Sequence, residues 1–170
     1  MIDAIRKRRS IRAYLKRPVE EDKLKEMLKA AMCAPNSWGT KPWEFIIVRD
    51  AGMLASLSGA TGHARFVKDA HAVIVVCYDM AKGKRFREDS SIAAAHIQLE
   101  AADQGLGSCF VQIADAGEPA GSAEPCVARL LNVPQGLRVQ CMVSVGYPKR
   151  ALKEHTDSVY DPAKVHLEKF

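Results

Sequence analysis

Residues 72–77 read A-V-I-V-V-C, an uncharged run that is dominated by β-branched side chains. Such a run is typical of a strand that is buried on both faces of a sheet. Two further runs, W-E-F-I-I-V at 43–48 and V-Q-C-M-V-S-V at 139–145, predict strands of the same kind, and a shorter strand is predicted at 108–113. Helical patterns alternate irregularly with these four strands. The order of elements therefore indicates a three-layer α/β sandwich.

Five helical segments surround the predicted strands, at residues 1–7, from Pro18 onward, and at 50–58, 88–104 and 124–131. The longest, 88–104, is expected to end at Gly105, a natural C-cap. Its apolar residues recur on one face, at Ile92, Ala95, Leu99 and Ala102. Asp89 and Ser90 suit the start of this helix. We therefore interpret Asp89, Ser90 and His96 as capping and surface residues rather than as catalytic groups.

Length and composition are those of one ordinary globular domain. The chain has 170 residues, of which 48% are hydrophobic and 26% charged, which excludes disorder, collagen and coiled coil. No apolar run approaches the roughly 18 residues of a membrane span, and M-I-D begins no signal peptide. We therefore expect a single domain over 1–170 in the cytoplasm. The tail from 149 to 170 has too few apolar residues to fold alone and is expected to lie along a surface, such as that of a partner subunit.

Cysteine and histidine spacing gives no sign of a metal site. The five cysteines include no C-x-x-C pair, and the five histidines show no ligand spacing. We expect structural thiols in a reducing compartment and no bound metal.

The positive charge of the chain is concentrated near its N-terminus. Residues 6–17 hold seven basic and no acidic residues, which leaves 18 basic against 20 acidic residues in the rest of the chain. A cluster of this size suits a phosphorylated small ligand, although a nucleic-acid backbone or a solvated basic face is compatible with composition alone. A nucleic-acid reader would more often spread its basic residues over a larger face or interleave aromatic residues.

Three segments have the residue types that ligand binding needs. R-R-S-I-R at 8–12 offers guanidinium forks and a hydroxyl for a phosphate. A-P-N-S-W-G-T-K-P-W-E-F at 34–45 is a polar loop before a strand, suited to the polar edge of a flat heterocycle. G-L-G-S-C-F at 105–110 lets backbone approach a ligand closely. Neither a Rossmann glycine motif nor a P-loop is present.

These segments, together with V-G-Y-P at 145–148, resemble the FMN-dependent nitroreductase family in its short single-domain form. Four patterns match in the family's order, over roughly residues 2–148. The resemblance implies an α+β three-layer sandwich with a mixed sheet of four to five strands flanked by helices. It also implies an intertwined homodimer with FMN at the subunit interfaces.

The resemblance also implies a set of cofactor-binding residues. Arg8, Arg9, Ser10 and Arg12 would bind the phosphate, ribityl chain and pyrimidine edge of FMN. The loop residues Pro35, Asn36, Ser37, Gly39 and Lys41 would approach the isoalloxazine ring from the other subunit. Gln112 and Ile113 would border the ring near N5, and Lys149 or Arg150 would be a second phosphate ligand.

The polar loop departs from the family pattern P-S-x-x-N-x-Q-P-W. Asn36, Gly39 and Lys41 occupy the serine, asparagine and glutamine positions. Asn36 is the candidate to replace the lost amide contact. Lys41 is either a tuner that favours negative charge at flavin N1 or a solvated lysine. Trp38 is expected to be a pocket wall or a dimer contact.

The resulting hypothesis is an NAD(P)H-dependent FMN oxidoreductase without a catalytic side chain. NADH or NADPH would pass a hydride to flavin N5 and leave, and a nitroaromatic, quinone or similar flat acceptor would then take two electrons in a ping-pong mechanism. The alternative is a non-catalytic flavin carrier, storage protein or sensor, and a basic nucleic-acid binder is the third hypothesis.

Overall fold

A four-stranded sheet forms the centre of the protein in the computed structural model, which describes residues 1–150 and 152–170. The strands are β1 (Trp43–Val48), β2 (Ala72–Asp79), β3 (Gly107–Gln112) and β4 (Leu137–Gly146), in the order β1-β2-β4-β3. All four predicted strands are confirmed. The expectation of a mixed sheet is wrong for these strands, because all three pairings are antiparallel. Among the described residues, parallel pairing is limited to one bridge between Ser10 and Ser108.

The described residues form five α-helices: α1 (Asp3–Lys7), α2 (Glu21–Met32), α3 (Ala51–Leu57), α4 (Phe86–Asp103) and α5 (Ala123–Leu130). Short 3-10 turns occur at Ser37–Gly39, Arg65–Asp69, Asp157–Val159 and Pro162–Lys164. Acidic residues occupy the first turn of α2 and α4, where they stabilise the positive end of the helix dipole.

Alternation along β2 explains the three layers. Ile74, Val76 and Tyr78 face a core shared with α2 and α4, whereas Val73 and Val75 face a second core shared with α3 and α5. Successive strand residues point to opposite faces of a sheet, so a continuous apolar run requires cover on both sides. The predicted three-layer sandwich is confirmed, as an α+β fold.

The long helix α4 buries a different face from the one that its sequence indicated. Ile92 and Ala95 are exposed, and Leu99 and Ala102 are only half-buried. The fully buried apolar residues of α4 are Ala93, Ala94, Ile97 and Ala101, which pack against the sheet and α2. Apolar residues occur nearly all around α4, so periodicity could not select its face. The small alanine side chains allow close packing where larger residues would not fit.

The N-terminal segment after α1 lies across the ends of β3 and β4. The Ile11 N–H donates to the Ser108 carbonyl at 2.9 Å, and the Leu15 N–H donates to the Tyr147 carbonyl at 2.8 Å. The buried Tyr14 hydroxyl hydrogen-bonds to the Ile11 carbonyl at 2.6 Å and to Ser144 Oγ at 2.8 Å. The basic cluster is therefore fixed to the sheet, next to Gly107 and Pro148.

Gly107→Ala tests this close packing. A Cβ at Gly107 would lie 2.7 Å from Ile11 Cγ2, so we expect the variant to lower the free energy of unfolding by about 1–3 kcal/mol in urea denaturation. Gly62→Ala is the matched control, because a Cβ there has no neighbour within 4 Å. Equal stability of the two variants would contradict close packing of Ile11 on Gly107.

The C-terminal extension begins against its own chain. The Arg9 guanidinium donates to the Lys153 carbonyl, the His155 N–H donates to the Arg6 carbonyl at 3.0 Å, and Leu152 packs on the cluster formed by Ile11, Tyr14 and Ala70. Ala151 lies outside the described residues. From Thr156 onward every residue is exposed. Packing of that portion on a partner subunit stays a prediction.

All five cysteines are free thiols, and three of them, Cys77, Cys109 and Cys141, are buried. Within the described ranges, no helix combines the length and apolar composition that a membrane span requires. Among the same residues, no cluster of three or more His, Cys, Asp or Glu side chains is arranged to hold a metal ion.

Candidate functional site

A large cavity lies between β3, the turn before Phe66 and the loop that precedes α5. Its volume is about 770 Å³, within the range of small-molecule sites. Its wall is formed by Arg12, 59–63, Phe66, 109–112, 116–118, Ser122 and Cys126. We call it the central cavity. Arg12 and Gln112 are the two predicted site residues that line it.

Arg12 is the cation of the central cavity. Its guanidinium carbon lies 5.8 Å from the centroid of the Phe66 ring, a cation–π distance. No carboxylate in the described part of the chain lies within salt-bridge distance of Arg12. The charge of Arg12 is thus available to an anionic ligand.

Arg8 and Arg9 lie around a smaller cavity of about 200 Å³, together with Ser108, Pro148 and Leu152. Both arginines are half-buried. Ser10, between these arginines and Arg12, is bridged to Ser108. The R-R-S-I-R segment therefore extends from the small cavity to the central one, as an elongated phosphorylated ligand would require.

Gln112 and Ile113 have different environments at the end of β3. The Gln112 side chain is exposed, and its Nε2 donates to the Ala114 carbonyl at 2.8 Å. The Ile113 side chain is fully buried in the core beneath α3 and α5. A contact between Ile113 and the isoalloxazine ring of FMN would therefore have to come from the Ile113 backbone.

The polar loop does not line the central cavity of its own chain. It is closed by Asn36, whose Oδ1 accepts a hydrogen bond from the Lys41 N–H at 2.9 Å. Trp38, Gly39 and Lys41 all have positive φ, at 60°, 66° and 49°. Non-glycine residues with positive φ are costly and persist where surrounding contacts impose them. Trp38 is 73% exposed at the tip of this loop, so it does not belong to the core of the chain.

Asp89 is the contact that holds the loop. Its carboxylate is buried and accepts hydrogen bonds from Ser37 N–H at 3.0 Å, Ser37 Oγ at 3.2 Å and the Tyr78 hydroxyl at 2.9 Å. Its carbonyl accepts from Trp43 Nε1 at 3.2 Å. The interpretation of Asp89 as a capping or surface residue is therefore wrong, because distant donors converge on its carboxylate.

These hydrogen bonds have consequences for Ser37, a predicted site residue, and for Tyr78. Ser37 directs both its N–H and its hydroxyl toward Asp89, so these two groups position the loop. Burial, followed by the hydrogen bond to Asp89, raises the pKa of Tyr78 to about 12.

Lys149 and Arg150 are exposed after β4. The Lys149 N–H donates to the Ala13 carbonyl at 2.9 Å, which fixes its backbone beside the basic cluster. Lys149 lines a third cavity that also includes Arg12.

Several residues that line the central cavity were not predicted from the sequence, namely Thr61, Gly62, His63, Phe66, Gly117 and Glu118. The segment 59–66 reads as loop in the sequence, whereas 65–69 forms a 3-10 turn. In the sequence, the glycines at 59 and 62 and the aromatic residue that follows them were the features of this segment that could have indicated a ligand site. Nothing in their local pattern places them opposite β3.

Comparison with known proteins agrees with this geometry. A family model described as "Nitroreductase family" matches residues 5–57 and 53–147. The solved structure of an FMN-dependent nitroreductase from Clostridium difficile R20291 is 40% identical, with a TM-score of 0.92 and complete coverage of both chains. A Methanothermobacter thermautotrophicus protein, provisionally named NADH dehydrogenase/NAD(P)H nitroreductase, is 34% identical over 100% of this chain and 87% of its own length.

A less similar relative is named for a different reaction. The FMN reductase [NAD(P)H] of Bacillus subtilis is 28% identical over 72% of this chain and 47% of its own length. The resemblance drawn from the four sequence motifs is confirmed by the family match and by the overall fold. On this evidence the chain belongs to the nitroreductase family.

Proposed function

We propose that the protein is an FMN-dependent oxidoreductase that passes electrons from NADH or NADPH to a nitroaromatic, quinone or similar flat acceptor. Membership of the nitroreductase family supports the reaction class, and the names of the similar proteins support the cofactor and donor. The observation that carries the proposal is the central cavity of about 770 Å³ with the cation Arg12 in its wall.

The residues around the cavity suit FMN. The half-buried Phe66 and Phe110 supply apolar surface for a flat ring, and Arg12 supplies positive charge at the edge. Arg8 and Arg9 supply guanidinium donors for the phosphate, and Ser10 lies between the two regions. A phosphate monoester carries close to two negative charges at neutral pH, which guanidinium forks match.

Bound FMN supplies the redox chemistry, acceptance of a hydride from NAD(P)H and delivery of two electrons to the acceptor. The protein positions the ring and tunes its charge. Arg12 would stabilise negative charge on the pyrimidine edge of the ring, and Gln112 would border the ring from the wall of the same cavity. No catalytic side chain is required, because binding and electrostatics are the contribution of the protein.

The polar loop completes the site in a homodimer. This loop does not line the central cavity of its own chain. In the proposed arrangement, Asn36 and Lys41 therefore face the central cavity of the second subunit and contact the flavin bound there. The exposure of Trp38 supports this role, since an aromatic side chain at a loop tip suits an interface. Asp89 then acts on the partner's site by holding Ser37 and the loop.

The visible absorption spectrum tests the cofactor. We expect the protein, after addition of FMN and desalting, to retain a yellow chromophore that is released as FMN on denaturation. It should then oxidise NAD(P)H continuously with a quinone acceptor. Retained FMN without turnover would indicate a flavin carrier or sensor instead. A colourless protein after desalting would overturn the proposal.

A further inference from the structure

A second large cavity, of about 650 Å³, shares Arg12 with the central cavity. Its wall contains five cationic residues and one carboxylate. The cations are Arg12, Lys16, Arg17, Lys68 and Lys149, and the carboxylate is that of Asp69. We call it the basic cavity. It is distinct from the small cavity that Arg8 and Arg9 line, so it adds a second concentration of positive charge beside the proposed flavin site.

Most of this charge is uncompensated. Arg17 lies over the Tyr147 ring at 3.8 Å from its centroid and pairs with Glu20 at 3.4 Å. In residues 1–150 and 152–170, the side chains of Arg12, Lys16, Lys68 and Lys149 have no carboxylate within salt-bridge distance. Arg12 serves the proposed flavin, which leaves Lys16, Lys68 and Lys149 as like charges around the basic cavity, and an anion placed between them would relieve their repulsion.

Backbone hydrogen bonds hold the walls of the basic cavity together. The cations come from three separate parts of the chain: the N-terminal segment, the 3-10 turn that ends at Asp69, and the segment after β4. Leu15 N–H donates to the Tyr147 carbonyl at 2.8 Å, Lys149 N–H to the Ala13 carbonyl at 2.9 Å and His71 N–H to the Val145 carbonyl at 3.0 Å. All three bonds attach the cavity walls to the end of β4 or the residues just after it, so the backbone that presents the cations is preorganised.

We propose that the basic cavity binds the 2′-phosphate of NADPH and so makes NADPH the preferred donor. This inference rests on the proposed function, because it requires a nicotinamide donor at the central cavity. Arg12 lines both cavities, so in the proposed arrangement a dinucleotide with its nicotinamide against the flavin extends its adenosine end past Arg12 toward the basic cavity. NADH has a neutral hydroxyl at this position, whereas the 2′-phosphate of NADPH carries close to two negative charges.

Binding of adenosine 2′,5′-bisphosphate and adenosine 5′-monophosphate, measured by calorimetry on the FMN-loaded protein, separates the contribution of the 2′-phosphate. We expect the bisphosphate to bind at least about tenfold more tightly, the scale of one charge-assisted hydrogen bond. The double substitution Lys16→Gln and Lys68→Gln should abolish this difference and leave FMN retention unchanged. In steady-state assays it should raise KM for NADPH about tenfold with no change for NADH.

Lys25→Gln is the charge-matched control for each single variant, since Lys25 is exposed on α2 and lines none of the three cavities. The single variants Lys16→Gln and Lys68→Gln, both at exposed side chains, give the same comparison if the double variant does not fold. Unchanged preference for the bisphosphate would overturn the proposal. So would weaker FMN retention with an unchanged preference, which would assign the cavity to the phosphate of the flavin. If neither the unmodified protein nor any variant oxidised NAD(P)H, the proposed function would be refuted. The proposal for the basic cavity would still be tested, because the calorimetry measures binding and needs no reaction.

Discussion

Replacing both Arg8 and Arg12 with alanine is expected to weaken FMN binding by on the order of a thousandfold, through loss of two charge-assisted contacts. Arg12 lies in the wall of the central cavity and Arg8 in that of the small cavity, so each lines one of the two cavities assigned to the proposed cofactor. Fluorescence titration of FMN into the apoprotein measures the dissociation constant. The single variants should each account for about tenfold to a hundredfold of the loss.

Arg129→Ala is the matched control for this experiment. Arg129 is exposed in the last turn of α5 and lines none of the three cavities, so its loss should leave FMN binding unchanged. The free energy of unfolding of the apoprotein should be similar for all of these variants, because Arg8 is only half-buried and Arg12 is exposed. Tight FMN binding by the double variant would show that the flavin does not follow the R-R-S-I-R segment.

Asp89→Ala is expected to lower the stability of the protein substantially. The change leaves the Ser37 N–H, the Ser37 hydroxyl and the Tyr78 hydroxyl without their acceptor. Buried donors without partners each cost about 1–3 kcal/mol, and part of this cost is recovered at half-buried Ser37 by water, so we expect a loss of about 3 kcal/mol. For a protein of this size that lowers Tm by roughly 6–12 °C, which differential scanning calorimetry would detect.

Ser90→Ala provides the comparison one residue away. Ser90 is also buried in α4, but its hydroxyl has no hydrogen-bond partner among the described residues, so its removal should change the free energy of unfolding little. Asp89→Asn should fall between the two, because its amide oxygen can still accept from Ser37. If Asp89→Ala matched Ser90→Ala in stability, the carboxylate could not be the anchor of the polar loop.

The fold was largely predictable because its signals are local. The β-branched run at 72–77 has no charged residue, and only a strand covered on both faces can bury it, which requires helices on each side of the sheet. The bounds of β1, predicted at 43–48, agree with the structure at both ends. The face of α4 was not predictable, because alanines occur on several of its faces and close packing against α2 and the sheet selected among them.

The candidate site was predictable only as a set of segments. The sequence by itself determined that a basic R-R-S-I-R segment, a polar loop and a glycine pair stand in the order typical of the nitroreductase family. Only the tertiary structure decided that Arg12 adjoins both the central and the basic cavity, because that depends on pairing of the N-terminal segment with β3 and the end of β4. It likewise decided that Asp89 is an anchor. A buried carboxylate is recognised by donors that converge on it, and Ser37 and Tyr78 lie 52 and 11 residues away along the chain.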